Sequence, residues 1–236
     1  GYGLIYLAAE MLANANMDLE GKTALISGSG NVALFAAEKL IDLGVKVLTL
    51  SDRGGTLYVH DGLSKEQLVW IKELKFDLQG SLEKFVDNFG GHFMPNQKPW
   101  SIPGMLAFPC ATQNELHSDD ARQLLNNKCI LVAEGANMPS TIGAVKMFES
   151  AKCLYAPSKA ANAGGVAISG LEMTQNSMRL TWSREKVDSE LQSIMRKIHQ
   201  QCLKYGEETD WVNYVKGANI AGFVKVADAM LAYGVM

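Results

Sequence analysis

No two of the four cysteines, Cys110, Cys129, Cys153 and Cys202, form a CxxC pair, and the four histidines, His60, His92, His117 and His199, are equally dispersed. With no HExxH or other ligand spacing, metal binding is not expected; the thiols read as structural groups of a reducing, cytoplasmic compartment and the histidines as surface or internally satisfied residues. The chain also lacks a block of Lys or Arg and carries a formal net charge of −3, which argues against nucleic acid or an anionic membrane as a partner. No apolar run approaches the roughly 20 residues of a membrane span. Proline is scarce, six residues in 236, and three of them fall in MPNQKPWSIPGM (94–105). That stretch is expected to be loop, because proline interrupts both helix and ladder. The opening residues GYGLIYLAAEMLANANM read as a helix without the basic start and cleavage pattern of a secretory signal, so a cut domain is the better reading.

What is present suits one or at most two globular domains, with 47% hydrophobic and 20% charged residues. KTALIS (22–27) is a short apolar run ending at Gly28, and beyond it Val32, Phe35, Ala36, Leu40 and Leu43 recur at helical spacing. Between the two, Gly28-x-Gly30-x-x-Ala33 sits where a chain must turn tightly, admit a pyrophosphate against bare backbone and pack a helix closely on a sheet. The first N–H groups of that helix and its dipole supply an anion site. VKVLTL (45–50) reads as the next strand, and Asp52 arrives at its end, about where an acidic residue meets an adenosine ribose. Strand, helix, second strand and acid in register favour a dinucleotide cradle over a glycine turn in another α/β fold.

GGTLYVHDG (54–62) resembles a strand projecting from such a unit. Ser64, with Gln67 at capping-box spacing, opens a helix to about Leu78, and SLEKFVDNF (81–89) is a shorter one. LAFPC, KCILVAEG and AKCLYAP are apolar and separated by helical stretches, as buried parallel strands are. The alternation predicts a doubly wound α/β fold with a mostly parallel, Rossmann-type sheet and flanking helices. From Asn162 the pattern is helical nearly to the end, including an amphipathic helix over 183–205. One compact domain over about 17–215, with helices at both ends, is the simplest organisation; the sheet order cannot be read from these spacings.

In open α/β sheets ligands lie outside the carboxyl ends of the strands. The segments at those ends are GSGN, then Asp52-Arg53, Cys110 to Glu115, Gly135 to Pro139 and Ser158 to Gly165. They concentrate small residues, amides and hydroxyls on one edge, suited to close approach and to holding ribose and carboxamide groups.

Taken in order, SGSGNVA, PCATQNEL, AEGANMPSTI, SKAANAGGVAISGLEMTQN and NYVKGANIAGFVKVADAM resemble, over the whole chain, the nucleotide-binding half of the hexameric glutamate dehydrogenases, especially the NADP-dependent type. The resemblance implies reversible oxidative deamination of L-glutamate to 2-oxoglutarate and ammonia, and a homo-hexamer at full length. It places the catalytic lysine and aspartate on a first domain absent from this chain, so no catalytic residue is expected here. Residues 1–236 then form one dinucleotide-binding domain. Its terminal helices, 1–16 and 217–236, are expected near the junction with the first domain, their apolar faces uncovered without it.

By the same resemblance Gly28, Ser29, Gly30, Asn31 and Val32 hold the pyrophosphate. Ala111, Thr112 and Asn137 lie beside the ribose and nicotinamide, and Asn162 near the nicotinamide ribose and substrate. Val166 and Ser169 line the glutamate side-chain pocket, where a hydroxyl donates to the γ-carboxylate without adding a buried charge; a small helix-packing residue is the other reading of Ser169. For the coenzyme, Asp52 alone favours NAD, whereas adjacent Arg53 can pair with a 2′-phosphate. The resemblance, with Lys75 near the position of a basic residue that approaches that phosphate, points to NADP. Lys159 is assigned no chemical role, and Glu134 and Glu172 read as structural carboxylates with backbone partners. A stand-alone nucleotide-binding module and half of a leucine or phenylalanine dehydrogenase are the alternatives.

Overall fold

The computed structural model describes residues 1–234. In chain order the elements are α1 (Tyr2–Asn14), β1 (Thr23–Ile26), α2 (Asn31–Asp42), β2 (Lys46–Val47), β3 (Thr49–Asp52), β4 (Gly55–Tyr58), α3 (Lys65–Phe76), α4 (Lys84–Phe89), β5 (His92–Pro95), a 3₁₀ turn (Pro99–Ser101), β6 (Leu106–Phe108), α5 (Ser118–Asn126), β7 (Leu131–Ala133), α6 (Ile142–Ser150), β8 (Leu154–Ala156), α7 (Ser158–Ala161), α8 (Ala163–Ser177), α9 (Arg184–Gly206) and α10 (Tyr214–Tyr233). The capping box at α3 forms, Gln67 N donating to Ser64 Oγ and Ser64 N to the Gln67 side chain. Among the described residues no helix is long and apolar enough to cross a membrane.

Five strands form a wholly parallel sheet in the order β2-β1-β6-β7-β8. Successive side chains of a strand point to opposite faces, and here the alternation sorts them into two cores. Ala24, Ile26, Leu106, Phe108, Leu131 and Ala133 pack with α1 and α2, whereas Leu25, Ala107 and Val132 pack with α5 and α6. The doubly wound α/β architecture follows, with its topological switch between β1 and β6.

Two local expectations are corrected. VKVLTL is not one strand: Lys46–Val47 pairs parallel with β1, while Thr49–Asp52 turns away to begin an antiparallel sheet, β3-β4-β5. The Thr49 hydroxyl accepts from Ile26 N at 2.9 Å and donates to Ile26 O at 3.1 Å, so a side chain replaces the ladder bonds lost where the strand departs. MPNQKPWSIPGM is not all loop either. Met94 and Pro95 end β5, where Pro95 lies opposite Gly55; β5 is an edge strand, the place in a sheet where a missing N–H is tolerated.

The terminal helices differ from each other, and α1 differs from expectation. In α1, Leu4, Ile5, Leu7, Ala8, Met11 and Leu12 are buried, packed against α9, α2 and α8. Its apolar face belongs to this unit's own core rather than to an uncovered junction. By contrast α10 leaves Phe223, Val226, Met230 and Leu231 exposed. The expected helix over 217–236 is seen from Tyr214 to Tyr233, and positions 235–236 lie outside the described residues.

Candidate functional site

At the carboxyl ends of β1, β3 and β6 lies an open groove of about 1110 Å³. Of the residues singled out in the sequence, Gly28, Ser29, Gly30, Asp52, Arg53, Lys75, Ala111 and Thr112 line it. Gly28 has φ +87°, and a Cβ there would lie 2.9 Å from Cys110 O, so both conformation and the adjoining turn require glycine. Gly30 is different: a Cβ on it would meet nothing within 4 Å, leaving open space beside the backbone. Gly30 also begins α2 without a side-chain cap, so the first-turn N–H groups, which have no intrahelical acceptor, are left for another one. Asn31 and Val32 open that turn and are exposed.

The sequence reading missed two hydroxyls here. Ser51 Oγ accepts from Gly28 N at 2.8 Å, and Ser51 N donates back to Gly28 O at 3.1 Å. Gly28 therefore contributes shape rather than a free donor. Ser27 Oγ accepts from Cys110 N at 2.9 Å. Each serine lies immediately beside a motif residue, but nothing in the sequence says which backbone groups will face it.

Asp52 is engaged differently from expectation. Its carboxylate accepts from Gly54 N at 2.9 Å, Leu82 N at 2.8 Å and Lys75 Nζ at 3.0 Å. Burial pushes its pKa up, but the bonds from Leu82, Lys75 and Gly54 outweigh burial and hold it below the ordinary carboxylate value. Lys75 donates as well to Gly80 O at 2.7 Å. Acid and lysine together thus pin the segment after α3 along the groove, while Arg53 is exposed at its wall.

Further along the same sheet edge, Asn162 Nδ2 donates to Asn137 Oδ1 at 2.7 Å, joining two amides from separate loops. After β7, Glu134 is 3% exposed and accepts from Ser158 N at 2.7 Å, Ser140 N at 3.2 Å and the Tyr155 hydroxyl, the structural role expected of it. Glu172 is instead exposed on α8. Val166 and Ser169 also lie exposed on α8, Val166 at 79%, and neither lines the groove. Lys159 donates to Asn219 of α10.

All four cysteines are buried and unpaired, and burial raises the Cys110 thiol to about 12, which makes it a poor nucleophile. His199 is buried with Nε2 3.0 Å from the Tyr214 hydroxyl, while His60, His92 and His117 are exposed. Among the described residues no cluster of three metal-ligating side chains occurs.

The family model described as Glutamate/Leucine/Phenylalanine/Valine dehydrogenase matches residues 1–234. The chain is 55% identical over 237 residues to a glutamate dehydrogenase of Bacteroides thetaiotaomicron and 52% identical over 236 residues to the NADP-specific glutamate dehydrogenase of Escherichia coli K12. Each match covers 100% of this chain and 53% of the relative, so the chain spans about half the length of the curated relatives it matches. The crystal structure of Plasmodium falciparum glutamate dehydrogenase superposes with a TM-score of 0.96 at 48% identity, over 100% of this chain and 51% of that one. With that model spanning residues 1–234 and the backbone superposing at this level, the chain belongs to the Glutamate/Leucine/Phenylalanine/Valine dehydrogenase family.

Proposed function

We propose that this chain is the coenzyme-binding half of an NADP-dependent glutamate dehydrogenase that, at full length, interconverts L-glutamate with 2-oxoglutarate and ammonia. The observation that carries the reading is the groove at the switch point, where Gly30 leaves open space beside an uncapped helix N-terminus. That is the arrangement a pyrophosphate needs. The bound coenzyme would supply the hydride acceptor or donor. Backbone N–H groups from Ser29 to Val32 hold its phosphates, with Gly28 setting the turn; Ala111, Thr112 and the Asn137–Asn162 pair bind the ribose and nicotinamide end. Arg53 takes the 2′-phosphate. Lys75, already paired with Asp52, shapes that end and adds positive charge.

Val166 and Ser169 form part of the substrate's side-chain pocket. Their exposure on α8 favours contact with a ligand over helix packing. No residue here is assigned acid–base chemistry, which we place in the part of the relatives beyond the match. Residues 1–236 act as one dinucleotide-binding domain, with the exposed apolar face of α10 at its junction with that part. Four buried, unpaired cysteines fit a cytoplasmic enzyme, and a homo-hexamer is the proposed assembly.

Two measurements test this. By calorimetry the chain is expected to bind NADP more tightly than NAD. Arg53→Ala should weaken NADP by roughly tenfold to a hundredfold, the equivalent of one or two charge-assisted bonds, while leaving NAD nearly unchanged. Tighter NAD binding by the unaltered chain would reverse the coenzyme assignment. In the full-length protein, Ser169→Ala should lower kcat/KM for glutamate by roughly tenfold to a hundredfold with little effect on norvaline, which lacks the γ-carboxylate. Equal losses for both substrates would make Ser169 a packing residue.

A further inference from the structure

One carboxylate at the groove gathers three bonds on a single oxygen. Glu115 Oε1 accepts from Ser27 Oγ at 2.8 Å, Ala111 N at 3.0 Å and Thr112 N at 3.3 Å. Ser27 Oγ accepts in turn from Cys110 N. Ser27 follows β1 and the turn beginning at Cys110 follows β6, so this relay ties together the two turns that flank the switch point. Beside it the Cys110–Ala111 backbone comes so close to Gly28 that there is no room for a Cβ.

Holding an ionised group in this place is costly. Burial pushes the Glu115 pKa up, and the bonds from Ser27, Ala111 and Thr112 only oppose that shift. Fold stability alone would be served as well by a neutral acceptor, which avoids the desolvation cost of a charge. A carboxylate adds firmness, because hydrogen bonds to an ionised acceptor are shorter and about twice as strong as neutral ones.

From this geometry we infer that Glu115 is a positioning residue for the coenzyme: it fixes the Cys110–Thr112 turn against Ser27, so that this wall of the groove is formed before the ligand arrives. The inference rests on the reading of the groove as a coenzyme site. A preformed wall spares the ordering cost that a mobile turn would impose on binding. Glu115 thus acts through the backbone of Ala111 and Thr112, residues already assigned to the ribose and nicotinamide end.

The test uses the full-length protein. Glu115→Ala should raise the coenzyme Kd and KM by roughly tenfold to a hundredfold, with a smaller change in kcat at saturating coenzyme, and should speed amide exchange at Ala111 and Thr112. Glu115→Gln retains an acceptor oxygen and should recover most of the affinity without lowering the thermal midpoint. Ser27→Ala should weaken binding several-fold, and the double variant should lose less than the two single losses combined, since both break one relay. Coenzyme affinity unchanged in Glu115→Ala despite faster exchange, or Gln as impaired as Ala in affinity and midpoint alike, overturns the inference. Should Glu115→Ala not fold, Ser27→Ala decides, and unchanged affinity there overturns it. Unaltered protein that binds neither NADP nor NAD refutes the coenzyme reading itself, a separate failure.

Discussion

Glu134→Ala is expected to cost about 4 kcal/mol of folding stability, since each buried donor left without an acceptor costs about 1–3 kcal/mol and three are orphaned together. They are Ser158 N, Ser140 N and the Tyr155 hydroxyl. Burial raises the Tyr155 pKa above its ordinary value, so the phenol stays a neutral donor and cannot relieve the loss by ionising. The total is less than three full penalties because water admitted to the vacated space satisfies part of the demand. Urea unfolding should show a lower midpoint at an unchanged slope. A loss below about 1 kcal/mol would mean that the three donors find new partners cheaply. The Asn137–Asn162 contact should loosen with it, because Glu134 anchors Ser140 and Ser158, which stand beside the loops that carry those amides.

The two glycines of the turn should fail in opposite ways. Gly30→Ala is expected to leave the unfolding midpoint nearly unchanged, since its Cβ would project into open space, yet to weaken coenzyme binding by roughly a hundredfold, about 2.7 kcal/mol, by placing a methyl group in the path proposed for the pyrophosphate. Gly28→Ala should lose both properties. Its φ of +87° costs an L-residue about 1–2 kcal/mol, and the added Cβ would press on Cys110 O and Ala111 Cα, displacing the turn that forms the opposite wall. Paired calorimetry and denaturant titrations separate the outcomes. Normal coenzyme affinity in Gly30→Ala would show that the ligand does not pass over this backbone.

Local features were legible in the residues themselves. The Ser64–Gln67 capping box joins positions three apart, and the passage from KTALIS through the glycine turn into α2 depends on contiguous residues with distinct periodicities, so each was recoverable without knowledge of the rest of the chain. The parallel strands were legible for a related reason: a strand covered by helices on both faces is almost wholly apolar, and LAF and LVA are, with LYA departing only at its tyrosine. Family membership was equally readable, because the five motifs are long and retain their order.

Pairing over long separations was not legible. Asp52 sat where an acid meets a ribose, but its partners Lys75 and Leu82 lie 23 and 30 residues further on, and only the packing of the last turn of α3 and the loop after it brings them to it. Glu115 reaches Ser27 across 88 residues. The break of VKVLTL at Leu48 depends on the Thr49 hydroxyl meeting Ile26, and an uninterrupted β-prone string gives no sign of that.

By itself, then, the sequence determined the kinds of element, the glycine turn and the small-residue loops at the carboxyl edge of the sheet, because backbone conformation and hydrophobic period are set by near neighbours. Tertiary structure alone decided the strand order, the burial of α1 against α9, and which hydroxyls and carboxylates are already taken. A polar side chain's function depends on whether its hydrogen-bonding capacity is spent inside the fold or left for a ligand, and that is determined by groups brought together only when distant segments pack.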